Sequence, residues 1–71
     1  ETAKATFIEL NVYDIRGRKV RTLVSSTQPS GIYFVPWDGT DDDGNRLTSG
    51  IYYYQLQAGS QIEVKKMVLM R

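Results

Sequence analysis

Residues 50–58 have the sequence Gly-Ile-Tyr-Tyr-Tyr-Gln-Leu-Gln-Ala, in which apolar and polar side chains follow a two-residue period. One set of alternate positions holds Tyr52, Tyr54, Leu56 and Ala58, and the other holds Ile51, Tyr53, Gln55 and Gln57. Successive side chains of a β-strand point to opposite faces, so this period and its aromatic content predict a half-buried strand. It is the strongest strand signal in the chain.

The same period extends on both sides of this segment. Further strands are predicted over residues 6–12, 20–25, 32–37 and 62–70. Turn-forming residues separate them, namely Asp14-Ile15-Arg16-Gly17 and Gly59-Ser60. The alternation sends four aromatic residues towards a common core: Tyr33, Trp37, Tyr52 and Tyr54.

Helical spacing of apolar residues is absent, and turn signals recur every 8 to 12 residues, as they do in sandwiches and barrels. The sequence therefore predicts an all-β fold, an immunoglobulin-like β-sandwich of five to seven antiparallel strands. Five or six strands can be assigned where a full sandwich of this kind has about seven, so we expect that at least one strand is missing. Residues 1–71 are expected to form one such domain.

Composition limits the function more than it defines it. The 71 residues include no His and no Cys, which removes the usual general base, the thiol nucleophile and the commonest metal ligand. We therefore expect no enzyme and no cofactor. A formal net charge of +1 argues against nucleic acid as a partner. No apolar run reaches the roughly 20 residues of a membrane span.

Residues 38–45, Asp-Gly-Thr-Asp-Asp-Asp-Gly-Asn, are predicted to be a surface loop rich in side-chain-capped turns. Because hard cations prefer clustered oxygens, Asp38, Asp41 and Asp43 are weak candidates for an irregular calcium site. The EF-hand pattern fails, since aligning Gly44 with its glycine puts Gly39 at the first ligand position.

Two segments are candidates for recognition. Tyr53 is the aromatic residue predicted to be exposed, and it could stack on a sugar. The last predicted strand has apolar residues on both faces, and a terminal strand of this kind can pair with the edge of another sheet. The residues predicted to mediate partner recognition are Lys65, Lys66, Met67, Val68, Leu69, Met70 and Arg71. An open sheet edge also predicts dimerisation of the isolated chain.

Short motifs occur in the order and spacing of one superfamily: Val12-Tyr13-Asp14, Gly17-Arg18, Trp37-Asp38-Gly39, Ser49-Gly50-Ile51-Tyr52 and Lys65-Lys66-Met67. With them the chain resembles the C-terminal sorting domains of the type IX secretion system and the related immunoglobulin-like domain of flagellar hook-capping proteins. The stretch from Trp37 to Asn45 is similar to the hook-cap branch. The ending from Lys65 is similar to the sorting branch.

The resemblance implies that the chain is the C-terminal module of a larger secreted protein and that the first strand of its sandwich, upstream of Thr6, is missing. It also implies a secreted or cell-surface location, recognition by an outer-membrane translocon and cleavage by a sortase-like protease. The first hypothesis is accordingly a sorting and cell-surface attachment domain. Two alternatives are a carbohydrate-binding accessory module of a glycoside hydrolase, which would use Tyr53, and a hook-cap-type structural assembly domain.

Overall fold

The computed structural model describes residues 5–29 and 31–70, and within them the chain forms a single antiparallel sheet. Its strands are β1 (Thr6–Tyr13), β2 (Lys19–Gln28), β3 (Gly50–Ala58) and β4 (Gln61–Leu69). They lie in the order β2-β1-β3-β4, so β2 and β4 are the edge strands. The all-β prediction is confirmed, and the strand predicted over residues 50–58 has the bounds that were expected.

Tight turns join the strands of each hairpin. The turn between β1 and β2 is built on Asp14, whose carbonyl oxygen accepts a hydrogen bond from the Gly17 amide at 2.9 Å. Gly17 has a φ of 83°, which favours glycine. Between β3 and β4 the turn is Gly59-Ser60, and Ala58 pairs with Gln61 across it.

The strand register defines the two faces of the sheet. Leu10 pairs with Leu56, and Val12 pairs with Tyr54, so these side chains share one face. We call this the covered face, because residues 31–37 lie over it and line a groove with it. The opposite side, which includes Tyr13, Tyr53 and Val64, is called the open face.

Irregular pairing in β2 adds apolar surface to the covered face. The register between β1 and β2 shifts between Leu10 and Asn11 and again between Val12 and Tyr13. A bulge of this kind places two residues opposite one. As a result, the consecutive residues Leu23 and Val24 both line the groove on the covered face.

The predicted strand over residues 32–37 is wrong, and with it the count of five to seven strands. In the part of the chain that the structure describes, this segment is extended but pairs with no strand. Pro36 has no N–H to donate to a ladder. The two-layer sandwich is therefore represented by one four-stranded sheet and an unpaired segment across its covered face.

The core is small as a result. Among the described residues Val12 is fully buried, and Tyr52 is 6% exposed. Trp37 was expected to fill the core, but it is half-buried and contacts the Tyr52 ring edge-to-face at 5.3 Å between centroids. Tyr33 was also expected to lie inside, yet it is 50% exposed at the rim of the groove.

Candidate functional site: the aspartate loop and the sheet edges

Residues 38–45, here called the aspartate loop, fold around the carboxylate of Asp41. Its Oδ1 accepts hydrogen bonds from the amides of Asp43 and Asn45, each at 2.9 Å. The Asp41 amide donates in turn to the Asn45 carbonyl oxygen at 2.9 Å. These bonds, with that of the Asn45 amide first, lower the pKa of the Asp41 carboxyl from its usual value.

A second carboxylate orders the start of the loop. Asp38 Oδ1 accepts hydrogen bonds from the Thr40 hydroxyl at 2.6 Å and from the Thr40 amide at 3.1 Å. These two bonds lower the pKa of the Asp38 carboxyl. Asp38 and Asp41 therefore use their oxygens as acceptors for the loop itself.

Arg21 on β2 attaches the loop to the sheet. Its Nη1 donates to the Thr40 hydroxyl at 2.5 Å and to the Asp41 carbonyl oxygen at 3.1 Å. The guanidinium also lies 3.8 Å from the carboxylates of both Asp38 and Asp42. A planar group with several N–H donors suits such a set of acceptors. No local signal revealed this role, because Arg21 and the loop are separated by about twenty residues in the sequence.

Asp42 closes part of the β2 edge. Its backbone amide donates to the Val20 carbonyl oxygen at 3.0 Å, and its Oδ1 accepts from the Thr22 amide at 3.0 Å. The loop thus supplies the donor and the acceptor that a neighbouring strand would supply. This half of the β2 edge is closed to another strand.

The calcium prediction finds no convergent ligand set in the described residues. No group of three or more Asp, Glu, His or Cys side chains among them is arranged to hold a metal ion. Asp38 and Asp41 bond to their own loop, and Asp43 is exposed. The Arg21 guanidinium lies 3.8 Å from the carboxylates of Asp38 and Asp42.

A cleft of about 770 Å³ separates the aspartate loop from the β1–β2 turn. Its lining mixes three basic residues with four acidic ones, namely Arg16, Arg18, Lys19, Asp14, Asp41, Asp42 and Asp43. Mixed charge of this kind gives no net field for an anion or a cation.

Tyr53 lies on the open face, where it is half-buried rather than exposed as predicted. It lines a shallow hollow of about 310 Å³ together with Tyr13, Gln55 and Val64. The sugar-binding role of Tyr53 stays a prediction.

The predicted recognition segment coincides with the end of the second edge strand. Lys65 and Lys66 are exposed, whereas Met67 and Leu69 are half-buried on the covered face. The strand ends at Leu69 rather than at residue 70, and Arg71 lies outside the described residues. One side of β4 pairs with β3 along its whole length. The recognition role of the segment stays a prediction.

Comparison with known proteins identifies the fold family. The sequence model of the FlgD Ig-like domain matches residues 1–61, most of the chain. The chain belongs to this family. Neither a curated protein nor a solved structure matches it significantly. The resemblance to the hook-cap branch is thereby supported, whereas the type IX branch gains no support from the match.

Proposed function

We propose that this chain is a non-catalytic structural module of the hook-cap type, which stabilises a larger extracellular assembly by protein–protein contacts. The observation that supports this most is the match of residues 1–61 to the FlgD Ig-like domain. In the described residues no helix is long and apolar enough to cross a membrane.

The chemistry of the chain favours contact over reaction. It contains neither His nor Cys, and the carboxylates of Asp38 and Asp41 serve as hydrogen-bond acceptors within the aspartate loop. A carboxylate that acts as a general base or a nucleophile would have to lie within hydrogen-bond reach of a substrate rather than bond to its own loop.

Residues 31–37 offer a surface for such contacts. Ile32 and Phe34 are 88% and 91% exposed, whereas the alternate residues Tyr33, Val35 and Trp37 line the groove on the covered face. Large apolar side chains that are so exposed and so close together are typical of interaction sites. We assign to Ile32 and Phe34 the contact with the neighbouring protein.

The test is the double variant Ile32→Ser/Phe34→Ser in the full-length parent protein. We expect export of the parent to be unchanged and its incorporation into the extracellular assembly to fall at least tenfold. Ile15→Ser is the matched control, since Ile15 is also exposed, at 69%, but lies in the β1–β2 turn. Normal incorporation of the double variant would exclude this surface, and normal incorporation after deletion of the domain would exclude the structural role.

Recognition by the type IX secretion apparatus is a second proposal, which would use the unpaired edge of β4. A sorting signal on this strand predicts that Lys65→Glu/Lys66→Glu retains the parent in the cell envelope. These substitutions keep the strand and reverse its charge. Export of the variant at the normal level, measured by fractionation, would rule out this reading and leave the structural role in place.

A further inference from the structure

The outer edge of β4 is the longest unpaired edge within the described residues. The strand has nine residues, and β3 pairs with one side of it only. Its open-face side chains Ile62, Val64 and Val68 are 58%, 59% and 61% exposed. Unpaired backbone groups beside exposed apolar side chains form a template for another strand. The β2 edge differs, because Asp42 already bonds to it at Val20 and Thr22.

The β3–β4 turn fixes which backbone groups of β4 face outwards. In a two-residue hairpin the residues next to the turn, here Ala58 and Gln61, exchange hydrogen bonds, and the direction alternates after them. Gln61, Glu63 and Lys65 therefore bond towards β3. Ile62 and Val64 direct their N–H and C=O groups away from the sheet.

We propose that β4 pairs antiparallel with β4 of a second copy, about a two-fold axis that passes beside Val64. The two sheets then form one continuous eight-stranded sheet. In this register Val64 faces Val64 of the second copy, and Glu63 faces Lys65 of the second copy on either side of the axis. Opposite charges at directly facing positions stabilise a strand pair.

Charge selects this register over its neighbours. An axis at Glu63, Lys65 or Lys66 would set two identical charges against each other, which destabilises a pair. An axis at Met67 would place Lys65 opposite Leu69 and Lys66 opposite Val68, so that neither lysine would face Glu63. The register at Val64 satisfies the charges and also places the aliphatic part of Lys66 beside Ile62 of the second copy.

Cross-linking tests the register directly, because the 71-residue chain has no cysteine of its own. In the proposed dimer, residue 64 faces its own copy at a Cα–Cα separation of roughly 5.5 Å, which a disulfide spans. Val64→Cys is expected to form a disulfide-linked dimer under mild oxidation. Lys66→Cys is the matched control: its copies are offset by four residues, about 13 Å, which is too far. Equal cross-linking of both variants, or none at position 64, would overturn the proposal.

Charge reversal tests the same contact without a covalent bond. Glu63→Lys replaces two attractive pairs by two repulsive ones, so the dimer should weaken by about tenfold or more in sedimentation equilibrium. The double variant Glu63→Lys/Lys65→Glu restores both pairs and should restore the dimer. Ser26→Lys on the β2 edge is expected to leave it unchanged.

Two results would overturn the β4–β4 dimer. A dimer that is disrupted by Ser26→Lys and not by Glu63→Lys would overturn the proposal in favour of the β2 edge. A wild-type chain that stays monomeric at millimolar concentration would overturn self-association altogether. The inference does not rest on the proposed function, since the assembly assay on Ile32 and Phe34 keeps its outcome in either case.

Discussion

The β1–β2 turn and the aspartate loop contain the same five-residue turn, but only the turn in the aspartate loop forms hydrogen bonds to the edge of β2. In residues 14–18 the aspartate Oδ1 accepts from the amides of Arg16 and Arg18, each at 2.9 Å. In residues 41–45 the Oδ1 of Asp41 accepts from the two equivalent amides at the same distances. The fourth residue is a glycine in both, with φ of 83° at Gly17 and 87° at Gly44.

The second position of each turn accounts for the difference. Ile15 occupies it in the first turn and is 69% exposed. Asp42 occupies it in the second and bonds to the backbone of Val20 and Thr22 on β2. The local motif therefore determines the turn, whereas the long-range hydrogen bonds of Asp42 decide whether the turn also closes a sheet edge.

Among the substitutions that test this comparison, Arg21→Met is expected to cause the largest loss of stability. The substitution keeps most of the aliphatic volume and removes the donors to Thr40 and Asp41. Hydrogen bonds to a charged group contribute roughly 1.5–3 kcal/mol, so the free energy of unfolding should fall by about 2 kcal/mol. Urea denaturation measures the change.

Arg18→Met is the control for that experiment in the other turn. Arg18 Nε donates to Asp14 Oδ2 at 3.0 Å, but the arginine side chain is 70% exposed. Exposed pairs contribute little, so we expect a loss of at most about 0.5 kcal/mol. If the two variants lose equal stability, the loop is not held by Arg21.

Asp42→Ala should give a smaller effect, because it removes one acceptor from the β2 edge. The Thr22 amide then loses its partner at 3.0 Å, and water replaces it at this exposed edge. We expect a loss of about 0.5 kcal/mol and faster hydrogen exchange at Thr22. Asp42→Asn keeps an oxygen at this position and should protect the amide. Unchanged exchange in the alanine variant would show that this bond does not close the edge.

Local chemistry predicted much of this fold. The two-residue period gave β1, β3 and β4 to within one residue at each end, and β3 without error. Turn-forming residues located the turn at residues 14–17 and the loop over residues 38–45, because the hydrogen bonds of both are made within five residues. The period also predicted a strand over residues 32–37, where an apolar alternation is present but a pairing partner in the described residues is not.

Contacts between residues far apart in the sequence could not be predicted from local patterns. The pairing of β2 to Gln28 extends over serine and threonine residues whose pattern has no apolar period, and it depends on β1 across the hairpin. The attachment of Arg21 to Thr40 spans 19 positions in the sequence. The sequence therefore predicted an exposed loop with a weak calcium site. It did not predict that the aspartate loop bonds to β2 through Arg21 and Asp42.

Acid should affect the two turns alike, and this is the smallest effect that we predict. The Arg18 amide is the main cause of a lowered pKa at Asp14, as the Asn45 amide is at Asp41. A carboxyl whose folded pKa lies below its ordinary value of 3.8 stabilises the fold above that pH and loses the contribution as pH falls through the folded pKa. Stability should therefore decline below about pH 4.

The double variant Asp14→Asn/Asp41→Asn tests this, because it keeps acceptors for both turns without a titrating group. Its loss of stability in acid, followed by thermal unfolding at each pH, should be shallower than that of the wild type. A decline parallel to that of the wild type would mean that other carboxylates are responsible for the acid sensitivity.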